Sequence, residues 1–330
     1  MPQEVLVPHL SFEMFGQGAG PRPGYGGGVP ETAEHSAHRG RLDPAVAAVR
    51  SAVRAALTPL RGEPGAAEPR VLVALSGGAD SLALTAAVAF EAPRLGIEAS
   101  AVVVDHGLQD ASAAQTETAA GAARALGHTL DDQAETVLLG LARGSGGSSL
   151  MGMAPVRADE ASGVLWMRPL LAVRREATRA ACAAERLTPW DDPHNQDPRF
   201  ARVRVRNRVL PLLEDELGPG VAEALARTAE QLREDAEAFR DMIDETIEDI
   251  VEHAEAGISV SVAALAANPA ALRHRVIRHV VQSEFGVSLT RVQTLEVARL
   301  VTDWHGQAPI DLPGCVTERR GARLVFTART

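Results

Sequence analysis

The sequence predicts an α/β fold: a parallel sheet with helices packed on it, then a mainly helical C-terminal region ending in a short β hairpin. Three observations carry this prediction. Two short apolar runs, Val71–Leu75 and Ala99–His106, alternate with stretches of helical periodicity. A Gly-rich turn, Ser76-Gly77-Gly78-Ala79-Asp80-Ser81, joins the first run to a helical segment. Polar clusters, Ser76–Ser81 and Asp105-His106, fall at the carboxyl ends of both runs, where parallel sheets bind ligands.

Taken in order, residues 1–40 contain GQGAGPRPGYGGGVP, too rich in glycine and proline to pack, and are expected to form a disordered extension. Leu42–Leu60 reads as an amphipathic helix, with Val46, Val49, Val53 and Leu57 at helical spacing. RGEPGAAEP is a loop before the first strand, Val71–Leu75. The second strand, Ala99–His106, is followed by an alanine-rich segment, Ala111–Leu126, that reads as a helix. Another helix follows, with Leu130, Ala134, Val137, Leu138 and Leu141 on one face. VLWMRPLL supplies a third strand, residues 164–168, and 174–187 and 203–216 read as helices. Residues 221–255 form a long acidic helix or a helix pair, and further helices are expected near 270–284 and 290–302. CVTERRGARLVF closes the chain as two β runs around a glycine turn. The expected domains are 1–40, 41–215 and 216–330.

Composition narrows the chemistry. All 33 basic residues of the 330-residue chain are arginine. A Walker-type phosphate loop, a Schiff base and a lysyl adenylate each need a lysine, so all are excluded. Cys182 and Cys315 are the sole cysteines, far apart. They cannot build a zinc or iron–sulfur site by themselves, and a reducing cytoplasm is the expected location. No apolar run is long enough to cross a membrane, and the N-terminus lacks the form of a signal peptide. The net charge of -10 is unevenly spread. Ten arginines lie between Arg168 and Arg208, whereas Glu214–Glu255 is strongly acidic. That asymmetry fits either a local anion-binding face or a set of solvated helix faces.

The SGGADS turn suits phosphate. Its glycines allow a tight turn and close backbone approach, and the free N–H groups of the helix start attract anions. Ser76 and Ser81 add hydroxyls. Asp80 is unexpected in an anion cradle; it fits a Mg²⁺ ligand or a simple helix cap.

A strand, SGGxDS and a helix in succession resemble the PP-loop ATP pyrophosphatase family, an adenine nucleotide alpha hydrolase-like fold. Within it the chain resembles the tRNA(Ile)-lysidine synthetases. The similarity runs through Val104-Asp105-His106-Gly107-Leu108, Gly127-His128-Thr129-Leu130-Asp131-Asp132-Gln133-Ala134-Glu135-Thr136 and Leu141-Ala142-Arg143-Gly144-Ser145-Gly146. It continues through Arg168-Pro169-Leu170-Leu171, Trp190-Asp191-Asp192-Pro193-His194-Asn195 and Phe200-Ala201-Arg202. The resemblance implies a ligase that uses ATP to adenylate cytidine 34 in the CAU anticodon of tRNA(Ile). The amine of free L-lysine then displaces AMP. It implies an ATP site at Ser76, Gly77, Gly78, Ala79, Asp80, Ser81, Asp105, His106 and Arg143. Asp80, His128, Asp131, Asp132 and Glu135 become catalytic candidates, with Asp80 a ligand for Mg²⁺. Arg199, Arg202, Arg204, Arg206 and Arg208 become tRNA contacts, and Arg273, Arg275, Arg278 and Arg319–Arg323 phosphate contacts of a C-terminal tRNA-binding domain. A homodimer is compatible with this reading. Trp190 and Phe200 are read either as stacking partners for a splayed base or, for a lone Trp, as core.

One departure stands out. The family places roughly forty more residues, with two more strands and an arginine-bearing helix, between its DHGL and GHxxDDQAET segments, and a parallel sheet wants a strand before each loop at its carboxyl edge. Here the expected helix 111–126 runs straight into Gly127, which predicts a sheet of three parallel strands with His128 at a helix end. Two alternatives therefore stay open: a catalytically impaired relative that still binds ATP or tRNA, and a PP-loop tRNA thiolase. A dinucleotide-binding oxidoreductase is disfavoured, because no GxGxxG follows the first strand.

Overall fold

The computed structural model describes residues 3–7, 42–61, 69–105, 123–144, 146–190, 196–254 and 257–329. The chain forms two compact units, 1–232 and 233–330, a division later than the expected 215/216 boundary.

The first unit contains β1 (Gln3–Val7), α1 (Pro44–Leu57), β2 (Arg70–Leu75), α2 (Ala79–Glu91), β3 (Glu98–Asp105), β4 (Ala123–Ala125), α3 (Leu130–Arg143) and α4 (Gly147–Leu150). These are followed by β5 (Val156–Ala158), β6 (Leu165–Met167), α5 (Arg175–Ala184), α6 (Ala201–Arg204) and α7 (Leu210–Leu217). Its six-stranded sheet has the order β1-β3-β2-β4-β6-β5. The central four strands are parallel; β1 and β5 close the edges antiparallel. Two expectations fail here. Residues 3–7, expected to be disordered, form an edge strand on β3. Residues 123–125, expected to end a helix, form β4 between β2 and β6. Alanine has little strand preference of its own, yet Ala125 is fully buried at the sheet centre. The alanine richness that reads as helix propensity is thus overridden by tertiary pairing. The rest of Ala111–Leu126 before 123, and His106, lie outside the described residues.

Packing explains the helices. Val46, Val49, Val53 and Leu57 of α1, the apolar face of α2, and Ala181 and Cys182 of α5 bury against Val71, Val73, Ala99, Ala101, Ala125 and Met167 on one face of the sheet. Cys182 behaves as a small apolar residue. Burial pushes its thiol up to about 11, which keeps it protonated and unreactive.

A continuous helical stretch from 201 to 217 is interrupted by a π turn at Val205–Val209. Pro211, just inside α7, has no N–H to give the carbonyl of Asn207, and the ladder there relaxes to wider spacing.

The second unit takes in the end of α8 (Val221–Ile250) and then β7 (Val251–Ala254), β8 (Gly257–Ser261), α9 (Val262–Ala267), α10 (Ala270–Phe285) and α11 (Arg291–Thr302). It closes with β9 (Ile310–Leu312), β10 (Cys315–Arg320) and β11 (Arg323–Ala328). The expected terminal hairpin, β10–β11, is one part of a five-stranded antiparallel sheet ordered β7-β8-β11-β10-β9. Gly257–Ser261 alternates apolar Ile258 and Val260 with serine but is only five residues long, Ile310–Leu312 is shorter still, and pairing with β11 and β10 defines both as strands.

The position of β4 is testable. Ala125→Asp places a carboxylate with no cation beside it in the sheet centre, which costs several kcal/mol. The urea transition of the first unit, followed by the fluorescence of Trp166 opposite β4, is expected to shift to lower denaturant. An unchanged midpoint would contradict a buried β4.

Candidate active site

The cleft forms where strand ends meet helix starts. β2 ends at Leu75 and α2 begins at Ala79, so the chain reverses within Ser76–Gly78. Gly77 takes φ 85°, which a side chain would strain. The turn is tied internally. Ser81 Oγ accepts from Ser76 N–H (3.2 Å) and Ser76 Oγ (3.1 Å), and donates to the Gly78 carbonyl (3.0 Å). The first-turn N–H groups of α2, which have no helical partners, therefore open onto the cleft.

β4 brings the second wall. Leu126 N–H donates to the Met167 carbonyl (2.8 Å), continuing the ladder toward Gly127. A Cβ on Gly127 would sit 3.0 Å from Ser81 N and 3.2 Å from the Asp80 carbonyl. Only glycine lets this strand end lie against the phosphate turn. His128 thus leaves a strand end, not the helix end expected, and lines the cleft. Its Nδ1 is buried without a partner. Burial lowers its pKa, with Arg168 and Arg202 adding to the effect and Asp132 opposing it. The resting imidazole is neutral near pH 7.

The DDQAET segment opens α3, and nearly every polar side chain in it has a defined partner. Asp132 closes the helix start, accepting at one oxygen from Thr129 N–H (2.9 Å) and Oγ1 (2.7 Å). Its other oxygen accepts from Arg175 (2.8 Å) and Arg206 (3.0 Å). Glu135, 0% exposed, accepts from Arg175 (3.1 Å) and from Arg206 at both oxygens (2.7 and 3.0 Å). Asp131 accepts the Arg175 backbone N–H (2.7 Å) and pairs with Arg174 at 3.3 Å. Gln133 grips the backbone of Met153 through both amide atoms, 3.0 and 2.7 Å. Thr136 accepts from Arg202 (2.9 Å). Burial acts to raise the Asp132 carboxyl, but Arg175, Thr129 and Arg206 outweigh it and hold the group below the usual range.

These contacts define where the expected site residues rest. Asp132 and Glu135 accept from the guanidinium groups of Arg175 and Arg206, and Asp132 also lines the cleft. Asp131 does not line the cleft. All three act by holding Arg174, Arg175 and Arg206. The expected tRNA arginines divide. Arg202 and Arg206 turn into the cleft wall, while Arg199 pairs with Asp197 and Arg204 with the carbonyls of Pro198 and Arg199. Arg208 is exposed. Arg143 ends α3, about 20 Å along the axis from its cleft end, and does not reach the phosphate turn. Asp105 ends β3; His106, as noted, is beyond description.

Asp80 lines the cleft and touches the Thr178 hydroxyl at one oxygen, with Arg175 Nε 3.5 Å from the other. Burial raises its pKa, against the pull of Thr178 and Arg175. Among the described residues no group of three or more His, Cys, Asp or Glu could hold a metal. Asp80 fits a Mg²⁺ carried in on a triphosphate, the usual case of one or two carboxylates completed by phosphate oxygens.

The resulting cleft has a volume of about 830 Å³. Arg175, Arg179, Gln196 and Asn207 also line it, none of them expected as site residues, together with Trp190, which the sequence leaves between a stacking partner and core. The available signal was position: Arg175 opens a helix shortly after the β6 strand end, on the ligand side of the sheet.

Comparison with known proteins agrees with this architecture. The PP-loop domain family matches residues 49–127 and 116–213, and the TilS substrate binding domain family matches 261–325. The tRNA(Ile)-lysidine synthase of Leifsonia xyli is 51% identical over 317 residues, covering 82% of this chain and 94% of that protein. Those of Rhodococcus erythropolis and Streptomyces coelicolor are 44% and 42% identical. They cover 87% and 86% of this chain and 94% and 98% of their own lengths. The Leifsonia alignment takes in about 271 residues here, so about 46 residues of that relative have no counterpart. The two PP-loop matches overlap over 116–127, a span that ends at Gly127.

Two outcomes follow for the charge network. Glu135→Gln removes a buried charge from between the partly exposed Arg175 and Arg206 and is expected to cost up to about 3–5 kcal/mol of stability, measured by urea unfolding. Asp132, with its pKa lowered in the fold, stabilises above the unfolded value of about 3.9 and loses that contribution as pH falls through its folded pKa. Asp132→Asn is therefore expected to flatten the acid limb of the stability–pH profile.

Proposed function

The chain belongs to the tRNA(Ile)-lysidine synthase family, and on that premise we propose that it joins free L-lysine to cytidine 34 in the CAU anticodon of tRNA(Ile) at the expense of ATP. The observation that carries this reading is the close packing of Gly127 against the Ser76–Ser81 turn, which sets His128 beside the phosphate cradle.

In the first step the C2 oxygen of cytidine attacks the α-phosphate of ATP, and pyrophosphate leaves. The Ser76–Ser81 turn and the α2 N-terminus hold the phosphates; Arg175, Arg179 and Arg206 add positive charge from the opposite wall. Mg²⁺ bound with Asp80 as its protein ligand would supply further charge neutralisation to the leaving pyrophosphate. In the second step the lysine amine attacks C2 and AMP leaves. The amine must first lose a proton, and the neutral His128, with an unpartnered ring nitrogen, is placed to accept it. Asp132 and Glu135 fix the guanidinium groups so that they need not reorganise as charge develops.

Arg273, Arg275, Arg278 and the Arg319–Arg323 group supply phosphate contacts for the tRNA. His274 and Arg278 both have lowered pKa values, from burial first and then from neighbouring arginines, which marks a crowded cationic patch on α10. Soluble, cytoplasmic action fits this substrate, and a homodimer is compatible with it.

The roughly 46 residues of the Leifsonia relative that have no counterpart here favour a second reading, a chain that binds ATP and tRNA without lysine transfer. Labelled lysine, with a tRNA(Ile) transcript bearing CAU, separates the two. Incorporation that needs ATP and spares a methionine tRNA of the same anticodon supports the synthase. ATP and tRNA binding without incorporation supports the second. His128→Ala is expected to reduce incorporation about 10²- to 10⁴-fold while ATP still binds.

A further inference from the structure

Trp190 is a large apolar residue left 59% exposed, so it is not part of a core. It is nevertheless firmly placed. Arg186 adopts φ 57° just after α5, and the chain returns to the phosphate turn. There the Trp190 N–H donates to the Gly77 carbonyl at 3.0 Å, and a Cβ on Gly77 would lie 3.8 Å from the Trp190 Cβ. Among the described residues that line the cleft, Trp190 is the one Phe, Tyr or Trp, and it offers a larger and more exposed ring than the partly buried His128. Arg179 and Arg202 line the same cleft.

We propose that the exposed ring of Trp190 is the platform on which the target pyrimidine of the RNA stacks, beside the phosphate turn. The inference rests on the function proposed above and names the subsite for its RNA substrate. Unstacked bases in RNA loops are commonly received on aromatic side chains, and single-stranded binding sites pair such rings with arginines that follow the backbone. Position decides which base this is. In ATP, the ribose separates the adenine from the α-phosphate. The base that attacks that phosphate must lie against it. A platform hydrogen-bonded to the phosphate turn itself fits the attacking base. Because any base offers a π face, this contact supplies affinity and placement, and leaves the choice of cytosine to other groups.

The test uses the full chain and an anticodon stem-loop carrying CAU. Tryptophan emission, from Trp166, Trp190 and Trp304, is followed as the stem-loop is added, and affinity is measured by anisotropy of labelled RNA. The wild type is expected to show saturable quenching. Trp190→Leu is expected to lose that component and bind the stem-loop roughly 5- to 150-fold more weakly, with ATP affinity unchanged. Trp190→Phe keeps an aromatic face and is expected to retain most of the affinity. Equal RNA affinity in the wild type and Trp190→Leu would overturn the proposal. So would no stem-loop binding by the wild type, or a loss confined to ATP, which would make the ring an adenine platform. Binding is read without catalysis. A wild type that fails to transfer lysine, yet binds RNA through Trp190, would therefore remove the proposed function and leave the platform standing.

Discussion

Buried carboxylates in this fold exist only because arginines meet them, and the cleft takes its shape from that exchange. Asp131, Asp132 and Glu135 on α3 face Arg174 and Arg175 at the start of α5 and Arg206 on the π turn. Glu135 has no exposure to water, so an isolated charge there would be expensive. Two guanidinium groups satisfy it with three hydrogen bonds. Each arginine bridges more than one acid: Arg175 reaches Asp132 and Glu135 with Asp80 beyond, and Arg206 reaches Asp132 and Glu135. The planar fork of arginine makes such bridging geometrically natural, whereas a lysine would offer a point charge. The lysine-free composition is thus no handicap to this architecture.

The same network explains what was legible in the sequence. The strand–SGGADS–helix unit announces itself locally, since strand, turn and helix are contiguous and each residue type suits its backbone role. α1, α3, α10 and α11 were legible from periodicity, because each buries one face. Glu135 and Asp132 stand out in the sequence as candidate site residues, but the partners they hold do not. A carboxylate pair at i, i+3 looks the same from sequence whether it awaits a ligand or is already held by arginines 40 and 71 residues away. Likewise the run Arg199–Arg208 reads as one basic stripe. Helical geometry splits it, sending Arg202 and Arg206 inward and leaving Arg208 exposed. Counting charges along the chain cannot make that division.

β4 was illegible for a different reason. Three residues, Ala123-Arg124-Ala125, have no strand propensity that could compete with an alanine-rich helix pattern. Their state is fixed by neighbours: β2 on one side and β6 on the other. Trp190 has the opposite problem. Most tryptophans are largely buried, so composition favours core. One backbone hydrogen bond to Gly77 places it in the cleft instead.

These two elements bear on how the family's site accommodates a shortened chain. Residues 106–122 are all that joins β3 to β4, not far above the dozen or so that a parallel crossover requires. The site does not depend on how long that connection is. It depends on a strand end laying Gly127 so close to the phosphate turn that a Cβ there would sit 3.0 Å from Ser81 N, and on His128 following directly. A three-residue strand suffices for that, because Leu126 extends the ladder by its bond to Met167. The α3 helix then starts in a fixed place, and its acids find Arg175 and Arg206 whatever precedes β4.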